Sequence, residues 1–324
     1  MNFELYKFDP QTLSTPRLPG ISAIMRIKNG AEFLREVIES HLPFFDEIVA
    51  CYNDCQDNTA AILADMASQY PDKVRVFHYE PKVYPALSAE LAKRAAQGEP
   101  CIHTLANYYN YALAQARFSV ATKLDDDHLP ISENFAAAIT KIKRDMQLGQ
   151  QKVYSYSGIN LCGTRTEPLI YLNEPLVGTG DILFFPICPQ VHFIQNADYE
   201  QLNYRFIRRK EYLGILYFHL KHLKAGYGFA NLPDGPRQQY QQKFSQTLQT
   251  ETFAAFATVN TQQDLIRQHG TFDYYLQTNA VIQYLRAVIA RREAPLRVLR
   301  LQRLVSDLQR TSWQTDLLDW LRRG

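Results

Sequence analysis

Three consecutive aspartates, Asp125, Asp126 and Asp127, form the densest chemical group in the sequence. They lie in the stretch KLDDDH, at the end of an apolar run over residues 118–124. In an extended segment side chains alternate faces, so Asp125 and Asp127 are expected to point one way and Asp126 the other. Two converging carboxylates repel each other, and a hard divalent cation such as Mg²⁺ or Mn²⁺ relieves that repulsion. The spacing therefore predicts a metal site at Asp125 and Asp127, with a solvated acidic turn as the alternative.

The elements around the aspartates follow a β-α-β-α-β order. Apolar and β-branched runs predict strands over residues 21–27, 47–52, 73–79, 118–124 and 152–157. Amphipathic spacing predicts helices over residues 30–42, after residue 58, and over 102–117, 132–146 and 211–224. This alternation predicts a parallel sheet whose ligands bind beyond the carboxyl ends of the strands, where the aspartates lie. After Gly158, short apolar pieces predict loops and smaller strands that cover a pocket.

Composition indicates a folded globular protein. The 324 residues are 46% hydrophobic, which suffices for a sizeable core, and the net charge of +2 does not indicate nucleic-acid binding. The charge is uneven, because residues 281–324 carry nine arginines against four acidic residues. The N-terminus lacks the pattern of a signal peptide, no apolar run is long enough to span a bilayer, and the five cysteines show no paired metal spacing. We therefore expect a cytoplasmic protein whose cysteines are small core residues.

Three stretches together resemble the GT-A glycosyltransferases of the family 2 type. They are residues 21–49, the turn NDCQDNT that follows, and the segment NYYNYALAQARFSVATKLDDDH, and the resemblance extends over about residues 21–161. It implies an α/β, Rossmann-like GT-A fold with a mostly parallel sheet flanked by helices and a helical C-terminal extension. The implied catalytic domain covers residues 1–237, with a nucleotide-binding half at about 21–160 and an acceptor side at about 161–237. Residues 238–324 are then the helical C-terminal region.

The resemblance also implies a donor site. Asn53 and Asp57 match the turn that holds the nucleotide, and Asp125 and Asp127 match the metal-binding DxD motif. Further residues predicted to contact the nucleotide-sugar donor are the cations Arg26, Lys28 and Lys123, together with Tyr52 and Asp126. Tyr52 stands where many family members have an aspartate that binds uracil, and an aromatic ring can stack on a base but cannot accept that hydrogen bond.

A third metal ligand and a catalytic base are expected from the second half of the chain. Several GT-A enzymes recruit a C-terminal histidine to the metal, which implies His219; His222 shares its predicted helical face, and His128 is a weaker alternative. An inverting transfer needs a base for the acceptor hydroxyl. Glu200 is the first choice and Asp181 the second, ahead of Asp198 and His192.

The predicted function is metal-dependent, inverting transfer of a sugar from a nucleotide-sugar donor to a hydroxyl of a glycan or glycolipid, of the cell-surface polysaccharide or lipopolysaccharide type. The Gln-x-x-Arg-Trp motif of processive synthases is absent, which predicts a single transfer per binding event. A nucleotidyltransferase of the same sheet class and an inactive sugar-nucleotide or glycan binding module are the alternatives. The basic C-terminal helices predict either peripheral contact with the inner face of the membrane or packing against the sheet or a partner subunit.

Overall fold

Eleven of the described strands form one sheet, and two more form a separate hairpin. The structure is a computed structural model that describes residues 3–85, 88–97, 101–165, 168–170, 176–178, 182–196, 199–228, 234–250 and 254–255. Its strands are β1 Leu18–Ile27, β2 Glu47–Tyr52, β3 Val74–His78, β4 Phe118–Lys123, β5 His128–Pro130, β6 Val153–Gly163, β7 Pro168–Ile170, β8 Leu176–Val177, β9 Leu183–Pro186, β10 His192–Gln195, β11 Glu200–Asn203, β12 Lys210–His219 and β13 Ala254–Ala255. Its α-helices are α1 Leu34–His41, α2 Thr59–Gln69, α3 Ala89–Ala96, α4 Leu105–Ala114, α5 Ser132–Gln147 and α6 Asp234–Thr250.

The sheet begins with four parallel strands in the order β3-β2-β1-β4. β9 then runs antiparallel between β4 and β6, so that β6 has the direction of the parallel strands. β12 lies parallel to β6 and antiparallel to the short β5. The carboxyl ends of β1, β4 and β12 therefore meet at one edge of the sheet, as the predicted α/β architecture requires.

β1 is buried on both faces, which explains its continuous apolar sequence. Ile21 and Met25 belong to a core cluster that includes Val37 of α1 and several residues of α5. Ile24 points to the other face, where it shares a second cluster with Tyr108 of α4. Helices thus cover both sides of the parallel strands, and the predicted α/β class with flanking helices is confirmed.

The prediction of a helix over residues 211–224 was wrong. Residues 210–219 form β12, which hydrogen-bonds to β6 on one side and to β5 on the other. Residues 214–218 are buried on both faces of the sheet, so apolar and polar side chains do not alternate there, and the apolar spacing can imitate a helix. Tyr212, Ile215 and Phe218 are all residue types that favour strands. His219 consequently ends a strand, and His222 lies in the short 3₁₀ helix Lys221–Leu223.

Three smaller expectations also differ from the structure or lie beyond it. The predicted polar excursion over residues 80–100 contains α3. Cys51 and Cys162 are buried as expected, but Cys101 is exposed. The proposed domain boundary at residues 237 and 238 stays a prediction and falls inside α6, while the basic C-terminal segment lies outside the described residues.

Candidate active site

A cavity of about 510 Å³ opens at the carboxyl edge of the sheet. Its lining combines side chains from the ends of β1, β4 and β12 with the turn after β4, the hairpin of β10 and β11, and the segment after β12. The ionisable side chains in the lining are Arg26, Lys28, Glu32, Lys123, Asp125, Asp126, Asp127, His128, Glu200, His219, Lys221, Lys224 and Arg237. Eight of the twelve site residues predicted from the sequence are among them.

The three aspartates form a turn between β4 and β5, and all three line the cavity. The expected alternation of their side chains was therefore wrong, because it assumed extended backbone through residue 127. Asp126 and Asp127 instead contact the same ammonium group. The Lys224 Nζ atom lies 2.9 Å from Asp126 Oδ2 and 2.8 Å from Asp127 Oδ2.

The two carboxylates that share Lys224 have different pKa values. Burial raises the pKa of Asp126 to about 6, against the opposing effect of Lys224. Burial acts on Asp127 in the same sense, but the Lys224 ammonium and the neighbouring imidazoles outweigh it and hold the pKa of Asp127 below its usual range. Asp127 is therefore a buried anion at neutral pH.

One oxygen of this buried anion lacks a hydrogen-bond partner among the described residues. It is Asp127 Oδ1, and two imidazole nitrogens face it: His219 Nε2 at 3.6 Å and His128 Nε2 at 3.9 Å. His128 and His219 are register partners on the adjacent strands β5 and β12. Burial lowers the pKa of His128 to about 4 and that of His219 to about 3, so both rings are neutral at pH 7.

The orientation of His219 is fixed from behind the site. Its Nδ1 atom lies 2.8 Å from Asn160 Oδ1, on the neighbouring strand β6. With an amide oxygen as partner, Nδ1 carries the proton, and the lone pair of Nε2 points towards Asp127. A lone pair and an anionic oxygen at this distance repel each other, and a cation between them removes the repulsion.

The group Asp127, His128 and His219 could hold a metal ion, since one ligand atom from each lies within 4.8 Å of the others. The donor set of a carboxylate and two imidazoles suits manganese and the later transition metals. Asp125 stands beside this group, with its Oδ2 atom 3.7 Å from His128 Nε2 and 3.4 Å from Lys123 Nζ. Its role as a ligand stays a prediction.

Two predicted donor-binding cations are stacked on one aromatic ring. The Arg26 guanidinium and the Lys123 ammonium lie 4.9 Å and 5.4 Å from the ring centroid of Tyr109. Burial opposes the charged form of both, but Glu200 and Asp125 raise the pKa of Arg26 and of Lys123 above the usual value. The third cation, Lys28, is paired with Asp54 at 3.0 Å.

Glu200 is the first residue of β11 and lines the cavity. The negative charge of Glu200 contributes to the raised pKa of both Arg26 and Lys123. The second predicted base, Asp181, lies outside the described residues, as does Asp198. His192 Nδ1 is 2.9 Å from the Pro189 carbonyl oxygen, a contact that accounts for its position in the fold.

Tyr52, Asn53 and Asp57 lie outside the described lining of this cavity. The Tyr52 ring stacks on His78 with centroids 4.7 Å apart. Asn53 is buried, and its amide donates to the carbonyl oxygens of residues 79 and 81. Asp57 accepts from the backbone N–H of Ala31 at 3.0 Å and so joins the turns after β1 and β2. Their contact with a nucleotide stays a prediction.

Sequence reasoning missed Lys224 and Asn160, and it gave His128 only as a weaker alternative to His219. Lys224 is 98 residues away from Asp126, and no local pattern indicates such a contact. Asn160 lies in a strand with no motif around it. The adjacency of His128 to the aspartates was the one available signal.

An α/β sheet with acidic and imidazole side chains at its carboxyl edge agrees with the GT-A architecture that the sequence motifs predicted. Within that class, the family model described as Beta-1,4-N-acetylgalactosaminyltransferase (CgtA) matches residues 3–186. This match spans more than half of the chain, and the chain belongs to that family. The family is one of glycosyltransferases, as the sequence motifs predicted. No curated protein matches the chain in sequence.

Solved structures of other glycosyltransferases show distant similarity. Glucosyl-3-phosphoglycerate synthase from Mycobacterium tuberculosis, in complex with Mg²⁺ and uridine diphosphate, is 16% identical, with 46% of each chain covered and a TM-score of 0.30. TarS from S. aureus, residues 1–349, is 13% identical, with 94% of this chain and 92% of that chain covered and a TM-score of 0.39. The match thus spans less than half the length of the mycobacterial synthase.

Proposed function

We propose that this protein is a metal-dependent, inverting and non-processive glycosyltransferase that moves N-acetylgalactosamine from a nucleotide donor to a hydroxyl of a glycan or glycolipid. The observation that carries the proposal is the buried Asp127 Oδ1, which has no hydrogen-bond partner among the described residues and faces His128 and His219 in the cavity that also contains Glu200. The sugar is proposed from the family description, which names a β-1,4-N-acetylgalactosaminyltransferase.

The donor is proposed to bind with its phosphates towards the cations of the cavity. Arg26 and Lys123 contact the Tyr109 ring, and Lys28, which follows β1, lines the same cavity. Charged N–H donors at fixed positions suit phosphate oxygens. The carboxylates of the site balance the charges of these cations. The cavity therefore suits a donor phosphate that binds together with a divalent metal ion.

Asp127, His128 and His219 are proposed to hold that cation, with Asp125 as a further ligand. When bound, a divalent metal supplies positive charge for the phosphate that leaves the sugar. The chain prepares the site in two ways. Lys224 holds Asp127 Oδ2 and leaves Oδ1 to face the cavity, and Asn160 turns the Nε2 lone pair of His219 towards the same point.

Glu200 is proposed to remove the proton from the acceptor hydroxyl. A β-linked product from an α-linked nucleotide sugar requires attack on the face opposite the leaving phosphate, and a base must stand on that side. Glu200 enters the cavity from the β10–β11 hairpin, whereas the aspartates enter from the main sheet. The aspartates would then act on the side of the leaving phosphate, and Glu200 would act on the side of the acceptor hydroxyl.

The acceptor and the cellular location are proposed from the family description and from the sequence. A glycan or glycolipid of the cell surface suits the family, and the missing processivity motif supports a single transfer per encounter. None of the described helices is long and apolar enough to cross a bilayer. Peripheral contact through the basic C-terminal segment, at the inner face of the membrane, stays a prediction for residues outside the described part.

The test is sugar transfer by the full chain with UDP-N-acetylgalactosamine and a panel of glycan and glycolipid acceptors, with Mn²⁺ or with EDTA. We expect transfer only with the metal, a β anomer in the product by NMR, and loss of transfer in Glu200→Gln with donor affinity within about threefold of the wild type. An α-linked product, or full activity in EDTA, would refute the mechanism. UDP-glucose in the same assay tests the choice of sugar.

A further inference from the structure

The hairpin that carries Glu200 has little support of its own. β10 and β11 pair with each other in a two-stranded sheet and with no other described strand. Isolated two-stranded hairpins are marginally stable in water. The position of Glu200 in the cavity must therefore depend on what the hairpin packs against, which is mainly helix α4.

Helix α4 is hydrogen-bonded to the hairpin at the backbone of Phe193. The side chain of Asn110 accepts a hydrogen bond from the Phe193 N–H at 2.8 Å and donates one to the Phe193 carbonyl oxygen at 2.8 Å. Asn110 is buried, with 4% of its surface exposed, so both bonds are shielded from water. One amide side chain thus satisfies both polar groups of a strand residue, as a neighbouring strand would do.

Aromatic stacking also holds the hairpin on α4, through a tyrosine ring that lies next to the cavity. The Tyr109 ring stacks on the Phe193 ring with centroids 4.6 Å apart. The Tyr109 ring also contacts the cations Arg26 and Lys123. The β10 residue Gln195 is the register partner of Glu200 and accepts from the N–H of Ala106 at the start of α4. Helix α4 is itself fixed to the sheet, because the Tyr108 hydroxyl donates to the Cys51 carbonyl oxygen at 2.6 Å.

We propose that Asn110 is a positioning residue for the reaction: it fixes the β10–β11 hairpin on α4 and thereby holds Glu200 at the acceptor side of the cavity. This inference rests on the proposed role of Glu200 as the base. A displacement of about 1 Å in a reacting group can reduce a rate by a factor of about 100. Loss of the two Asn110 hydrogen bonds should accordingly lower kcat and leave donor and metal binding nearly intact.

The same helix supplies a matched control. Asn107, one turn before Asn110, is also buried and also makes a two-way clamp. Its amide donates to the Tyr6 carbonyl oxygen at 2.8 Å and accepts from the Phe8 N–H at 3.1 Å, so it holds the N-terminal segment instead of the hairpin. The Asn107 amide also donates to the Tyr79 hydroxyl at 2.7 Å, and its oxygen lies 3.7 Å from Cys101 Sγ. Asn107→Ala therefore removes a two-way amide clamp from the same helix, as Asn110→Ala does, but at partners away from the hairpin.

The experiment compares the full-length wild type, Asn110→Ala, Asn107→Ala and Glu200→Gln by steady-state kinetics and hydrogen exchange. We expect kcat to fall at least tenfold in Asn110→Ala with the donor KM within about threefold, and faster amide exchange in β10 and β11. Asn107→Ala should keep kcat within about threefold and show faster exchange near residues 6–8.

Equal kcat losses in the two asparagine variants, or a raised donor KM as the main effect in Asn110→Ala, would overturn the positioning role. Full activity in Glu200→Gln would overturn it together with the proposed base. The Glu200→Gln result thus separates a failure of the mechanism from a failure of the positioning role alone. If Asn110→Ala does not fold, Asn110→Ser, which keeps a small hydrogen-bonding side chain, replaces it in the same comparison.

Discussion

Two buried carboxylates at opposite ends of the same parallel strands are treated differently by the fold. Glu47, at the start of β2, is completely buried and receives four hydrogen bonds: from Ser22 Oγ, from the N–H and Nε of Arg117, and from Arg75 Nη1. Asp127, at the carboxyl edge, is nearly as buried but has one oxygen on Lys224 and the other without a hydrogen-bond partner in the described part of the chain.

The difference separates stability from function. A buried carboxylate whose oxygens are all hydrogen-bonded ties together the elements that supply the donors, here β1, β2, β3 and the segment before β4. A buried carboxylate oxygen without a hydrogen-bond donor costs free energy, and a ligand that bound this oxygen would offset that cost. Substitutions at each kind of position test this contrast.

The largest effect is expected for Asp127→Asn. Removal of the anionic charge that faces His128 and His219 should weaken Mn²⁺ binding and lower kcat by about 1000-fold, in the range for loss of one electrostatic contact to a transition state. Calorimetric titration of Mn²⁺ and initial rates measure the two effects. Because the charge repulsion with Asp126 also disappears, thermal unfolding should shift little. Activity within tenfold of the wild type would remove Asp127 from the site.

Glu47→Gln should show the opposite pattern. The neutral amide cannot accept all four hydrogen bonds and leaves two arginines without their counter-ion, so the free energy of unfolding should fall by about 3 kcal/mol. Urea unfolding measures this loss. The fraction that remains folded should keep its kcat, because Glu47 lies at the far end of the strands. A specific loss of kcat without a loss of stability would contradict the contrast.

His41 is compared with Asp127, because it also has a buried polar atom without a hydrogen-bond partner among the described residues, but it lies away from the cavity. Its Nε2 atom is buried in the core without a described hydrogen-bond partner, and burial lowers the pKa of His41 to about 4. The unfolded state binds the proton at higher pH, near pH 6.5, so this residue's contribution to stability is present above pH 6.5 and is lost as the pH falls towards 4. His41→Phe should reduce the loss of stability between pH 7 and pH 5 by about 2 kcal/mol, as measured by urea unfolding. An unchanged pH dependence would show that His41 is not the acid-sensitive group.

The smallest effect is expected for Gly30→Ala. A Cβ atom at Gly30 would press against the carboxylate of Asp126, which Lys224 holds in place. We expect Mn²⁺ and donor affinity to fall by about tenfold, or about 1.4 kcal/mol. Gly235→Ala is the control, since a Cβ atom there meets nothing within 4 Å. Equal affinities in the two variants would show that the site tolerates a displaced Asp126.

The first half of the fold could be predicted from the sequence because its strands and helices have distinct periods. β1, β2 and α1 are long runs of one pattern, and KLDDDH follows a buried strand directly. β12 could not be predicted in the same way. Its residues 214–218 are buried on both faces of the sheet, so the side chains of both faces are apolar, and periodicity no longer distinguishes strand from helix.

The site was predictable where its residues share a motif and not where long-range contacts create it. Asp125, Asp126 and Asp127 are recognisable as a group, and their position after a strand indicates the correct edge. The contact of Lys224 with two of them, and that of Asn160 with His219, depend on β6 and β12 lying side by side. The alternation expected for the aspartates failed because a tight turn, and not a strand, connects β4 to β5.

The placement of β12 beside β5 and β6 has a consequence for how the enzyme is made on the ribosome. His128 and His219 are neighbours in the sheet. In the chain, helix α5 and the strands β6 to β12 lie between them. At roughly 5–20 residues per second, the second imidazole leaves the ribosome several seconds or more after the first. In that interval the chain cannot yet bring the two imidazoles together. The candidate metal group of Asp127, His128 and His219 can therefore form only in a chain whose synthesis has passed β12.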